Sequence, residues 1–285
     1  MRLEDREESE NVEDRRGLGP VAGAAIGGGG LILALVLLVL GFDPKQVQQI
    51  VAPPQQPGQA NRQGGPPRPV DPEEEKEAHF TKVVFGDTER IWGELFRKNG
   101  KEYPTPTLHL FTGAVRSACG EADAAVGPFY CPGDSKVYID LTFYKDMRQK
   151  LHAPGDFAKA YVVAHEVGHH VQRLMGYSKN KAPDRAEGNR GSVRLELQAD
   201  YLAGVWAHYG QEKYQFLDPG DIDSALNAAY EIGDDRLEKK AQGYVVPDSF
   251  THGTSKQRMR WFKQGFDTGK IADARELFER EYDDL

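Results

Sequence analysis

Apolar and polar residues fall into blocks along this chain, and the first apolar block is the longest. From Gly17 to Phe42 there is no charged residue, and the run ends in LILALVLLVL. More than about 18 consecutive apolar residues suffice to cross a bilayer as a helix, so 17–42 is expected to be one transmembrane helix. An acidic start and the lack of a small-residue cleavage site argue against a removed signal peptide. Arg15 and Arg16 precede the run, whereas Asp43 and Lys45 follow it. That bias predicts a cytoplasmic N-terminus and an extracytoplasmic remainder, single-pass in the cell membrane. Residues 1–16 are almost wholly polar and are expected to form a disordered cytoplasmic tail. Residues 43–71, rich in Pro, Gln and Gly, read as a mobile linker.

Regular patterning resumes at Asp71, an expected N-cap followed by Pro72 and three glutamates. Phe80, Val83, Val84, Ile91, Trp92, Leu95 and Phe96 recur at helical spacing, as one helix or two separated near Gly86, up to Asn99 and Gly100. Residues 107–112 and, more clearly, the alternating VYIDLTFY of 137–144 read as strands, with GPFYCP a short extended piece. Thereafter the periodicity is helical, over about 156–176, 192–209, 221–232 and 234–242, and in a charged stretch from 255. The expectation is one α+β domain, 72–285, predominantly helical with a small sheet.

Composition changes this picture in two respects. A net charge of −8 over 285 residues argues against nucleic acid as a partner, because duplex binding rests on neutralising phosphates. The two cysteines, Cys119 and Cys131, are too far apart for the usual zinc pairing, and in an exported domain they are expected to form a disulfide.

The candidate chemistry lies in His165-Glu166-Val167-Gly168-His169. On a helix, positions four apart lie one turn above each other, so His165 and His169 can face one metal ion. Glu166 is rotated by about 100° from His165, so its carboxylate can border the open metal position as general base. Val163, Val167 and Val171 fall on another face and are expected to pack inward, while His170 points away and reads as structural. Catalytic zinc needs three protein ligands and an open position. In the helical SVRLELQADYLAG, Glu196 can be the third ligand, and Asp200, one turn on, can accept a hydrogen bond from a ligating histidine.

The motifs HEVGHH, ELQAD, the CG…GPFYCPGD…VYIDLTFY stretch and FTHGTSKQRMRWF together resemble the bacterial neutral zinc metallopeptidase family, a membrane-anchored group related to gluzincin-type peptidases. The resemblance covers most of 72–270, and no site residue departs from the pattern. It implies a zincin-like fold, one zinc on His165, His169 and Glu196, and peptide or protein substrates. Against that background His252, in FTHGTS, is the candidate donor to the tetrahedral oxyanion, with Tyr244 a weaker rival. Asp234 and Asp235 read as helix caps, and Arg258 as a structural ion pair or a carboxylate binder. The alternatives are a membrane-anchored binding scaffold with a structural or degenerate zinc site, and a zinc hydrolase of non-peptide amides. Oligomeric state is not legible.

Overall fold

The computed structural model describes residues 1–4, 6–16, 71–123, 127–177, 189–242, 244–245 and 250–285. The expected membrane span, 17–42, and nearly all of the linker lie outside them. Among the described residues no helix is long and apolar enough to cross a membrane.

Helices dominate, with a small mixed sheet, in agreement with the α+β expectation. Helix α1 (Pro72–Lys98) begins at Asp71, whose side chain accepts the Glu73 N–H at 3.0 Å. It runs through Gly86 without a break. A helix-interior glycine costs about 1 kcal/mol relative to alanine, and burial of Val83, Val84, Phe85, Ile91 and Trp92 around it outweighs that.

The sheet has the order β1 (Val12–Asp14), β2 (Thr107–Phe111), β6 (Lys136–Asp140), β5 (Phe129–Cys131). The first three are parallel, and β5 runs antiparallel to β6. A separate hairpin, β3 (Ala114–Ser117) and β4 (Gly120–Asp123), projects beside them. The Cys119–Cys131 disulfide ties the end of this hairpin to β5.

Two expectations need correction. The strand expected over 137–144 stops at Asp140, whose carboxylate accepts the N–H groups of Thr142 and Gly113, each at 2.9 Å. Helix α2 (Thr142–Gln149) follows. Tyr144 and Met147 then bury at helical spacing, so the apparent alternation beyond Asp140 belonged to the first turn of a helix.

Residues 1–16 are not a disordered tail. They lie along the domain and supply β1, whose register pairs Val12 with Leu108, Glu13 with His109 and Asp14 with Leu110. The segment buries little of its own apolar surface, which is why composition pointed to disorder. Its order comes from partners remote in sequence. Arg6 pairs with the buried Asp87, Glu13 with Lys136 at 2.7 Å, and Arg16 with Glu75 at 3.1 Å.

Helix α3 (Asp156–Leu174) runs through the middle of the core, packed against α4 (Arg190–Tyr214), α5 (Asp221–Glu231) and α1. Val163, Val167 and Val171 are fully buried. At about 1.5–3 kcal/mol each, they fix the rotation of α3 and hence the direction of its histidines. Helix α6 (Asp234–Gln242) and helix α7 (Ser255–Thr268) complete the frame, α7 starting in a capping box between Thr254 and Gln257 and packing along α4. Short helical turns close the chain, including α8 (Glu276–Glu279).

Candidate metal centre

Helix α3 presents His165 and His169 one turn apart, and α4 presents Glu196 opposite them. The approach of the two helices depends on the glycine inside the motif. A Cβ on Gly168 would lie 2.9 Å from the carbonyl oxygen of Ala199, closer than side chains tolerate. His165, Glu196 and His169 thereby bring one potential ligand atom each within 4.8 Å of one another.

Each histidine has its other nitrogen committed. His165 Nδ1 lies 2.8 Å from Asp200 Oδ1, and His169 Nδ1 lies 2.8 Å from Gln172 Oε1. Gln172 is itself anchored, donating from Nε2 to the Leu195 carbonyl at 2.5 Å. Such bonds fix tautomer and ring direction, leaving both Nε2 atoms aimed at one point. Glu196 faces that point, with Oε2 3.2 Å from His165 Nε2 and Oε1 3.6 Å from His169 Nε2. Two imidazole nitrogens and a carboxylate oxygen are the donor set that zinc takes in a three-ligand catalytic site.

Behind the histidines lies a buried polar cluster. Asp200 is fully buried and receives Arg258 through Nε at 2.8 Å and Nη2 at 3.0 Å, and the Tyr161 hydroxyl at 2.5 Å. Burial opposes ionisation of Asp200, but Arg258 and His165 outweigh it and bring its pKa down to about 2. Burial likewise opposes a charge on His165, yet Asp200 and Glu196 push it up to about 10 when no metal is present. Glu196 is held well below the usual carboxylate range against the same burial, by His169 and His165. His165, His169, Glu196, Asp200 and Arg258 are thereby linked in one connected polar set.

Glu166 is buried beside the triad, and its carboxylate accepts the backbone N–H of Tyr130 in β5. Burial raises its pKa, with the two histidines acting in the opposite direction. That combination suits a base that must hold a proton briefly and release it.

A cleft of about 680 Å³ opens over the triad, walled by Gly127–Tyr130 of the β5 strip on one side and by Ile232, His252 and Arg258 on another. His252 thus reaches the cleft, whereas Tyr244 is exposed and not part of its wall. Asp234, expected to be a helix cap, does more. Its Oδ2 accepts the N–H groups of Thr251 at 2.7 Å, His252 at 2.6 Å and Gly253 at 3.1 Å, and its Oδ1 lies 3.1 Å from His252 Nδ1. The hydrogen bond that His252 donates to Asp234 raises the His252 pKa, and partial desolvation of the ring only partly offsets it. Asp235, expected to cap its own helix, instead receives the N–H and hydroxyl of Ser255 at 2.8 and 2.7 Å, at the start of α7. His170 lies between the Tyr130 hydroxyl at 2.9 Å and the Pro104 carbonyl at 2.7 Å, a structural position, and burial lowers it to about 4.

Gln172, Tyr161 and Asp234 are the site residues that sequence reasoning passed over or misread. Gln172 carried a signal, since it lies three positions after His169 on the same helix. Tyr161 lies one turn before His165. Nothing local marks Asp234, because its partners are some 18 residues on.

The chain has relatives among known proteins. "Uncharacterized protein YpfJ" of Escherichia coli strain K12 is 50% identical over 284 residues, spanning 95% of this chain and 97% of that one. "Uncharacterized protein Mb2605" of Mycobacterium bovis is 44% identical over 178 residues, 59% of this chain and 60% of its own. No solved structure gives a significant match. The profile described as "Putative neutral zinc metallopeptidase" matches residues 1–277, nearly the whole chain with its metal helix and its N-terminal strand, and the protein belongs to that family.

Proposed function

We propose that the chain is a zinc-dependent peptidase, with His165, His169 and Glu196 as ligands and Glu166 as general base. The observation that carries this reading is the convergence of three ligand atoms whose supporting bonds are already made, beside a buried carboxylate and under an open cleft. A zinc ion held there supplies Lewis acidity and lowers the pKa of a neighbouring water to about 7.

This chain's own groups then divide the work. Glu166 takes the proton of the attacking water and passes it to the leaving amine. His252, oriented by Asp234, donates to the oxyanion that develops on the scissile carbonyl. β5 is an edge strand of its sheet among the described residues, so its backbone can receive an extended peptide by strand addition. A scaffold with structural zinc is disfavoured, because structural sites are closed by four protein ligands and this one offers three, among the described residues, beneath a cleft. The disulfide supports an oxidising, extracytoplasmic compartment, and the apolar run 17–42 supports membrane attachment.

The purified chain is expected to hold about one zinc, as three-ligand catalytic sites do, and chelation should abolish peptide cleavage. Because Asp200 and Glu196 favour the protonated form of His165, zinc uptake near neutral pH should release a proton. Titration calorimetry in buffers of different ionisation enthalpy reads that proton directly. A chain that folds but takes up no zinc would end the proposal.

His252→Gln is expected to lower kcat by about 10² to 10³-fold with little change in KM. The wild-type rate should fall as pH rises through the elevated His252 pKa, above the ordinary value of about 6.5. The sign follows from the donor being the protonated ring, which is lost at high pH. In pH–rate profiles that alkaline limb should vanish in the variant, and its persistence would assign the limb to another group.

A further inference from the structure

The N-terminal arm is built into the domain, and this bears on how the chain meets a membrane. Besides the β1–β2 ladder, Ser9 N–H donates to the Lys82 carbonyl at 3.0 Å, Arg15 N–H to Leu110 at 2.8 Å and Arg2 N–H to Phe216 at 2.8 Å. The Arg6 guanidinium reaches the fully buried Asp87 and lies over the rings of Tyr214 and Phe216 at 4.7 and 4.9 Å. Helix α1 is shaped to receive this arm. A Cβ on Gly86 would meet Ser9 N at 3.0 Å and Glu7 O at 3.1 Å, so the glycine inside α1 lies where the arm's backbone crosses it.

The arm also ends where the domain begins. Arg16 Nη1 donates to the Glu74 carbonyl at 3.1 Å and Nη2 to Glu75 at 3.1 Å, both in the first turn of α1. The chain therefore leaves the domain at Arg16 and rejoins it at Asp71 in the same place. One crossing of a hydrocarbon layer about 30 Å thick would put those two points on opposite sides. A second crossing lacks a segment to make it, since 43–70 carries Asp43, Lys45, Arg62 and Arg68 among prolines and glutamines.

We propose that the N-terminal arm, up to Arg16, and the metal-binding domain occupy the same side of the membrane. Arg16, read from sequence as a cytoplasmic topology signal, is instead consumed by ion pairs with Asp14 and Glu75. The inference does not depend on the peptidase reading, and its test reads topology alone.

Full-length chains carrying Glu10→Cys in the arm or Lys256→Cys in the domain, both exposed positions, are expressed in bacteria and treated as spheroplasts with a membrane-impermeant maleimide, before and after permeabilisation. The two sites are expected to react under the same condition, whichever it is. Reaction of one site at once and of the other only after permeabilisation would overturn the proposal. Gly86→Leu adds an independent reading, because it pushes the arm off α1. It should raise the rate of trypsin cleavage at Arg15 and Arg16 at least tenfold in permeabilised preparations, and an unchanged rate would show that no docking exists to disrupt.

Discussion

Glu166→Gln is expected to lower peptide turnover by about 10² to 10⁴-fold, the range general acid–base groups contribute, while zinc content is unchanged. The amide keeps the size of the carboxylate and can still meet the Tyr130 N–H through its oxygen. It cannot take a proton from water at any working pH. Because Glu166 is not among the three residues whose ligand atoms converge, metal binding should be indifferent to the change. Elemental analysis and turnover of an unbiased peptide library, run on the same preparations, separate the two properties. Retained turnover would remove Glu166 from the mechanism, and lost zinc would make it a ligand.

The second large effect concerns the cluster behind the metal. Arg258→Met should destabilise the protein by about 3–5 kcal/mol, the usual cost of leaving one member of a buried ion pair alone. For a domain of this size that is a fall in Tm on the order of 10 °C. Asp200 would keep Tyr161 and His165 but lose both guanidinium contacts. With its orienting partner disturbed, His165 should bind zinc about 10 to 100-fold more weakly. Combining Arg258→Met with Asp200→Asn removes both charges, so thermal stability should partly return, whereas zinc affinity should not. Recovery of both in the double variant would mean that Asp200 and Arg258 serve folding only.

Sequence periodicity carried the elements whose cause is local. Helical spacing set His165 and His169 on one face and the three valines on another, and the same one-turn spacing linked Glu196 to Asp200. Asp71 and Pro72 marked the start of α1, and the structure begins there. The misjudged strand end at Asp140 was a local competition, in which a carboxylate able to bond the next turn overrode a pattern of alternating side chains.

What local pattern could not contain was every feature made by residues far apart. The charged N-terminal stretch has nothing of its own to bury, and partners remote in sequence, among them β2, Asp87, Lys136 and Phe216, give it order. Asp234 likewise looks like a capping residue until packing sets it against His252, and the ion pair anticipated for Arg258 finds its partner, Asp200, only by folding. By itself the sequence determined which side chains form the candidate metal-binding set and the helices that bear them, because 3.6-residue periodicity fixes which side chains share a face. The tertiary structure alone decided which carboxylates support which histidines, and that the N-terminus belongs to the domain, because burial and pairing of charge depend on neighbours the chain reaches only by folding.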